Sequence, residues 1–173
     1  MQPLNLPPFK VLIAIDEGQF TASIADFVGN HFWPPHTQFV ICHVVEPLKV
    51  SNMMAVLPGP MLDEMSQDRI VAAHALTRNV AMRIRDYLKT EHIEEKVIEG
   101  FPKIEIVELA KNLPANLIVM GSHGRHGFNR LVMGSVSSHV LVHADCSVLI
   151  VRAQPQEVSE KEQKAATALA ANT

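Results

Sequence analysis

The chain has 173 residues, 47% of them apolar and 19% charged, with a formal net charge of −3. That length suits a single domain with ample material for a core. The mildly acidic balance gives no reason to expect nucleic acid or an anionic membrane as a partner. No apolar stretch approaches the ~20 residues that span a bilayer. The opening MQPLNLPPFK lacks a basic region followed by a long apolar run, so no signal peptide is expected. Two cysteines, Cys42 and Cys146, sit in or beside apolar runs and read as reduced core residues. The nine histidines are scattered without metal-ligand spacing, so no structural metal is expected. A cytoplasmic protein is consistent with all of this.

Residues 1–8 are proline-rich and read as a flexible leader. Phe9–Ile15 (FKVLIAI) is near-continuously apolar and β-branched, the pattern of a strand covered on both faces. It breaks at Asp16-Glu17-Gly18. A helical stripe follows at Ile24, Phe27, Val28 and Phe32, with Thr21 as its expected N-cap and Trp33-Pro34-Pro35 as its stop. Gln38–Val45 (QFVICHVV) reads as a second buried strand, ended by Glu46-Pro47. Residues 47–60, rich in proline and methionine, read as a long loop that is either functional, as a lid, or disordered. From about Met61 a long helix is expected, with Met65, Ile70, Ala73, Leu76, Val80, Ile84 and Tyr87 along one stripe. Arg69, Arg78, Arg83, Arg85 and Lys89 read as its solvated face. Glu95–Ile98 is a short third strand. Gly100-Phe101-Pro102 leads into a helix whose stripe is Ile106, Leu109, Ala110 and Leu113. Leu117–Met120 is the fourth strand, a helix is expected from about Ser135 to His143, and Ser147–Val151 is the last strand. Residues 153–173 carry no convincing apolar face and read as a flexible or weakly helical tail.

The most informative stretch is Gly121–Ser137, GSHGRHGFNRLVMGSVS, which lies between the fourth strand and the helix after it. Glycine permits close backbone approach, and the N–H groups opening a helix, with its dipole behind them, favour phosphate. Alternating strands and helices imply a mostly parallel, doubly wound α/β sheet with helices on both faces. Such sheets bind ligands beyond the carboxyl ends of the strands, where the strand order reverses. Asp16, the Val44-Val45-Glu46 end and the Met120-Gly121 loop all fall at expected carboxyl ends. The fold would therefore gather them on one edge with the glycine loop, as a nucleotide site.

These residues resemble the universal stress protein family. The resemblance rests on Gly121-x2-Gly124-x9-Gly134-Ser135, the glycine pattern of its ATP-binding branch. KVLIAID, ICHVVEP, GFPKIEIVELAKNLPANLIVMGS and CSVLIVR support it, so that it covers about residues 9–152. It implies an open sheet of about five strands ordered 3-2-1-4-5, and it implies ATP or another adenine nucleotide with Mg²⁺. By this resemblance Asp16, with the backbone of Ala14 and Ile15, meets the adenosine end; Val44 lines the adenine pocket and Met120 stands beside it. Gly121, His123 and Gly124 approach ribose and phosphates through their backbone, while Gly134, Ser135, Val136 and Ser137 hold phosphate oxygens. Arg125 and Arg130 are candidate phosphate partners, and His126 is expected to face solvent. The family often places a small Gly/Ser-type pair after the strand-end aspartate. Here Glu17-Gly18 stands there, and Glu17 either helps hold Mg²⁺ through water or repels a triphosphate. The resemblance also implies a homodimer joined through Ser147–Val151, paired antiparallel across a two-fold axis.

Three functions follow as expectations. The first is a nucleotide-binding regulatory protein of the stress response with at most slow ATP hydrolysis, since no general base is evident. The second is an ATPase or nucleotidyl-transfer enzyme using Glu17, His123 and Arg130. The third is a nucleotide-free dimeric interaction protein.

Overall fold

In the computed structural model, the structure describes residues 7–18, 20–48, 59–122 and 133–152. The order of elements is β1 (Lys10–Ile15), α1 (Phe20–Asn30), β2 (Gln38–Val45), α2 (Gly59–Leu88), β3 (Ile93–Glu99), α3 (Pro102–Asn112), β4 (Leu117–Gly121), α4 (Ser135–His143) and β5 (Ser147–Val151). The strands form one five-stranded sheet ordered β3-β2-β1-β4-β5, with every neighbouring pair parallel. The expected leader, most of the 47–60 loop, the centre of the glycine loop and the tail lie outside the described residues.

The continuous apolar runs become strands because each must be apolar on both faces. In β1, Val11, Ile13 and Ile15 point into one core with Ile24 and Val28 of α1 and Val80, Ala81 and Ile84 of α2. Leu12 and Ala14 point into a second core with Ile106 and Ala110 of α3 and Val140 of α4. The first two crossovers thus lie on one face and the last two on the other. Between them the winding jumps from the edge strand β3 to β4, so the order reverses between β1 and β4. Ile13 and Ile118, both fully buried, anchor this junction. Truncating either to alanine costs about 2–5 kcal/mol. At the strands' amino ends Asn116 fixes the register. Its side-chain oxygen accepts the Lys10 N–H at 2.8 Å and its own N–H donates to the Lys10 carbonyl at 2.9 Å.

Several expectations need correction. The first helix opens at Phe20, so Thr21 lies inside its first turn and is not the N-cap. Phe32 falls beyond the helix and is 90% exposed, because α1 ends at Asn30 and Trp33 turns back to donate its indole N–H to the Val28 carbonyl. The third strand is longer than Glu95–Ile98, since β2 supplies a partner for every residue from Ile93 to Glu99. Tyr87 is 45% exposed, and its hydroxyl donates to Asp26. Three arginines of α2 are not merely solvated. Arg83 pairs with Asp26 of α1, Arg85 reaches Glu95 and the Ile93 carbonyl, and Arg69 donates to the Glu46 carbonyl at 2.7 Å. Each caps an acceptor on a neighbouring element, a demand that helical periodicity does not encode. Among the described residues no helix is long and apolar enough to cross a membrane.

Candidate functional site

The reversal between β1 and β4 sets the floor of the site. Ala14 of β1 is in register with Met120 of β4, and Ala14 with Cys42 of β2. Val44 stands one step further along β2 on the same face. Ala14, Val44 and Met120 are buried on the side of α3 and α4, forming an apolar wall directly below the strand ends. Ile15 turns its side chain to the opposite core, so only its backbone belongs to this edge.

Beyond β1 the chain makes a tight turn. The Asp16 carboxylate accepts the Gly18 N–H at 3.0 Å, an Asx-type turn. A Cβ on Gly18 would lie 2.8 Å from that carboxylate oxygen, so a larger residue there would push the carboxylate off this hydrogen bond. The Thr21 hydroxyl donates to the Asp16 carbonyl, and the Thr21 N–H to the Gly18 carbonyl at 3.3 Å. Asp16 itself is half-buried at the strand end.

Beyond β4 the chain leaves through Gly121 and Ser122 and returns at Met133 and Gly134. The two ends are pinned together: the Gly134 N–H donates to the Ser122 carbonyl at 2.8 Å, and the Ser122 N–H donates to the Val151 carbonyl of β5 at 3.0 Å. Gly134 is the N-cap of α4 in extended geometry (φ −64°, ψ 154°), and no described side chain caps the helix. A helix leaves its first N–H groups without internal acceptors. Gly134 spends its own on Ser122, and the first helical bond is Ser138 N–H to the Gly134 carbonyl. The N–H groups of Ser135, Val136 and Ser137 therefore have no acceptor within the helix. They carry its positive dipole end to the carboxyl edge of the sheet, a fit for an anion.

The two serines of this turn differ. Ser135 is exposed. Ser137 is 2% exposed, and its hydroxyl lies 2.9 Å from the Ser122 carbonyl and 3.1 Å from that of Gly134. Its single proton is thus committed to the base of the loop. Val136 packs against the α3/α4 core. His123, Gly124, Arg125, His126 and Arg130 lie outside the described residues. Among the described residues no group of three or more His, Cys, Asp or Glu is placed to hold a metal ion.

The sequence reading missed two residues at this edge. His43 of β2 is a buried polar side chain whose Nδ1 is 3.0 Å from the Ile15 carbonyl. Arg69 of α2 closes the end of β2 through Glu46. A polar residue within an otherwise apolar run, as His43 is in QFVICHVV, was the available signal for the first. Cys42 and Cys146 are both free thiols, Cys42 buried and Cys146 half-buried. Burial pushes the Cys42 thiol up to about 12.

Comparison with known proteins gives a consistent result. The model of the universal stress protein family matches residues 9–152. Universal stress protein MJ0531 of Methanocaldococcus jannaschii is 43% identical over 65 residues, 38% of this chain and 38% of that protein. Universal stress protein YxiE of Bacillus subtilis is 28% identical over 147 residues, 83% of this chain and 98% of its own length. The match to MJ0531 thus spans well under half of that relative, whereas the match to YxiE spans nearly all of it. Universal stress protein UspA from Lactobacillus plantarum superposes with a TM-score of 0.68 at 21% identity, over 86% of this chain and 100% of that one. A universal stress protein in complex with cAMP gives 0.61 at 22% identity, over 83% and 96% of the two chains. A family protein from Arabidopsis thaliana with AMP bound gives 0.59 at 16%, over 90% and 99%. At such identities these structures establish the shared fold.

Proposed function

The chain belongs to the universal stress protein family, and on that premise we propose that it holds an adenine nucleotide, ATP first among them, as a regulatory protein of the stress response. The observation that carries the reading is the amino end of α4, capped by no described side chain and placed one strand away from Asp16 at the point where the sheet order reverses. Relatives of this fold with cAMP and AMP bound agree with it.

The residues suit the group. The apolar wall of Ala14, Val44 and Met120 takes the adenine face, and Asp16 with the Ile15 backbone takes the adenosine end. Phosphate oxygens are received by the N–H groups of Ser135, Val136 and Ser137 and by the Ser135 hydroxyl. Ser137 contributes its N–H, and its hydroxyl holds the loop base. Gly121, Gly134 and the glycine-loop residues His123 and Gly124 approach through their backbone. Glu17 would help hold Mg²⁺ through water, and the ion would neutralise charge between the phosphates. The sequence offers no evident general base aimed at the γ-phosphate, so hydrolysis is slow at most.

A cytoplasmic location accords with two free thiols in a chain that forms no disulfide among its described residues. A homodimer through β5 accords with an apolar strand at the sheet edge, paired within the chain only to β4 among the described residues. Light scattering expects twice the chain mass.

The experiment is calorimetric titration of the ligand-stripped chain with ATP, AMP and cAMP, with and without Mg²⁺. Saturable binding is expected. Absence of binding to all three at millimolar concentration refutes the reading.

A further inference from the structure

We propose that His43 is a positioning residue of the nucleotide site, acting through the last peptide of β1. The proposal rests on the reading above that an adenine nucleotide occupies this edge. From Phe39 to Val45 every β2 residue is buried, and all but His43 are apolar. An imidazole 6% exposed in that position gives up hydration that an aliphatic side chain would not miss. What it gains is one directed contact, Nδ1 to the Ile15 carbonyl at 3.0 Å. A carbonyl only accepts, so Nδ1 carries the proton.

The consequence lies on the other side of that peptide. His43 is in register with Ile15 and shares the parity of Phe39 and Ile41, whose side chains face α1 and α2. The Ile15 carbonyl it holds therefore faces β2. In a trans peptide the N–H points opposite to the carbonyl, so the Asp16 N–H faces away from β2, towards β4. That is the side of the Met120-Gly121 strand end and of the start of α4. The next carbonyl is held in the same way, because the buried Thr21 hydroxyl donates to the Asp16 carbonyl from α1. Two consecutive carbonyls are thus tacked down from behind, and the turn carrying Asp16 presents its donor and its carboxylate to the ligand side. His43 also precedes Val44, so one side chain couples the adenosine-contacting turn to the adenine wall.

The test compares nucleotide affinity with thermal stability in His43→Leu and His43→Asn. Leucine fills the space without a donor, whereas the asparagine amide nitrogen occupies the place of Nδ1. Loss of one such hydrogen bond is expected to weaken AMP and ATP binding roughly tenfold in His43→Leu. His43→Asn is expected to bind within about threefold of the parent, more tightly than its loss of ring packing alone would permit. His43→Leu binding as tightly as the parent, or asparagine and leucine weakening it equally, overturns the proposal. Failure of the parent chain itself to bind overturns the nucleotide reading instead. Long-range ¹H–¹⁵N spectra of the parent give a readout independent of any variant's folding. The Nδ1–H tautomer is expected, with the His43 Nδ1 and Asp16 amide signals shifting on AMP addition. An Nε2–H tautomer, or shifts that bypass both signals while AMP saturates, refutes the mechanism.

Discussion

Replacing Ser135 and Ser137 separately by alanine probes the division of labour at the start of α4. The Ser137 hydroxyl is buried and donates to the Ser122 carbonyl at 2.9 Å. That carbonyl keeps a second partner in the variant, the Gly134 N–H at 2.8 Å, so no buried acceptor is orphaned. The loss is then the net value of one hydrogen bond, about 1 kcal/mol, with a few tenths more for the void of one oxygen. In a chain of this size that lowers the midpoint of thermal unfolding by about 2–4 °C. Ser135 is exposed and bonds no described side chain, so Ser135→Ala is expected to move stability by less than about 0.5 kcal/mol while weakening nucleotide affinity. Urea unfolding of both variants, alongside calorimetric titration with ATP, measures the two effects independently. Ser137→Ala that is neutral in stability, or Ser135→Ala that is the more destabilised of the pair, refutes the assignment of the two hydroxyls.

Gly29→Ala would place a Cβ 2.4 Å from the Tyr87 ring and 2.7 Å from its Cβ, so α1 and α2 must separate. A loss of about 1–3 kcal/mol is expected in urea unfolding, and a neutral variant refutes this close approach. Cys146 is expected to react with a thiol reagent in the native chain while Cys42, its thiol pushed up to about 12, reacts only on unfolding. Equal rates for the two would contradict the burial of Cys42. His139 is stacked on His143 one turn away, with ring centroids 4.0 Å apart. Desolvation, then the charges of His143 and Lys103, lower its proton affinity from the ordinary 6.5. The unfolded chain then binds more protons than the folded one just below that value, so stability falls as pH drops through about 6.5 and below. His139→Gln is expected to flatten that slope in pH-dependent unfolding, and an unchanged slope would remove His139 as its source.

The strands were legible because burial on both faces demands apolar runs. β2 and β5 come out at the bounds their sequence suggests, and β1 and β4 within one residue of theirs. The start of α4 was legible for a related reason: Gly134-Ser135 opening an apolar helix is a local pattern, and the helix begins where that pattern places it. The arginines of α2 were not legible in this way. Arg69, Arg83 and Arg85 occupy positions off the apolar stripe, and only packing shows that each meets an acceptor just past β2, on α1 or on β3. Phe32 errs in the opposite direction, since its place on a helical stripe lapses once the helix ends at Asn30.

The sequence by itself thus determined the alternation of buried strands and amphipathic helices, and with it the doubly wound parallel sheet and the family. These follow from hydrophobic period and turn chemistry, which are local. Tertiary structure decided what the polar groups do. Ser135 and Ser137 are chemically identical and two residues apart, yet one hydroxyl faces outward and the other locks the loop base to Ser122. His43 reads as an interruption of an apolar strand until the register with Ile15 gives its nitrogen a carbonyl to hold. Hydrogen bonds are short-ranged and directional, so their partners exist only once distant segments have been brought together, whereas apolar burial needs only a face.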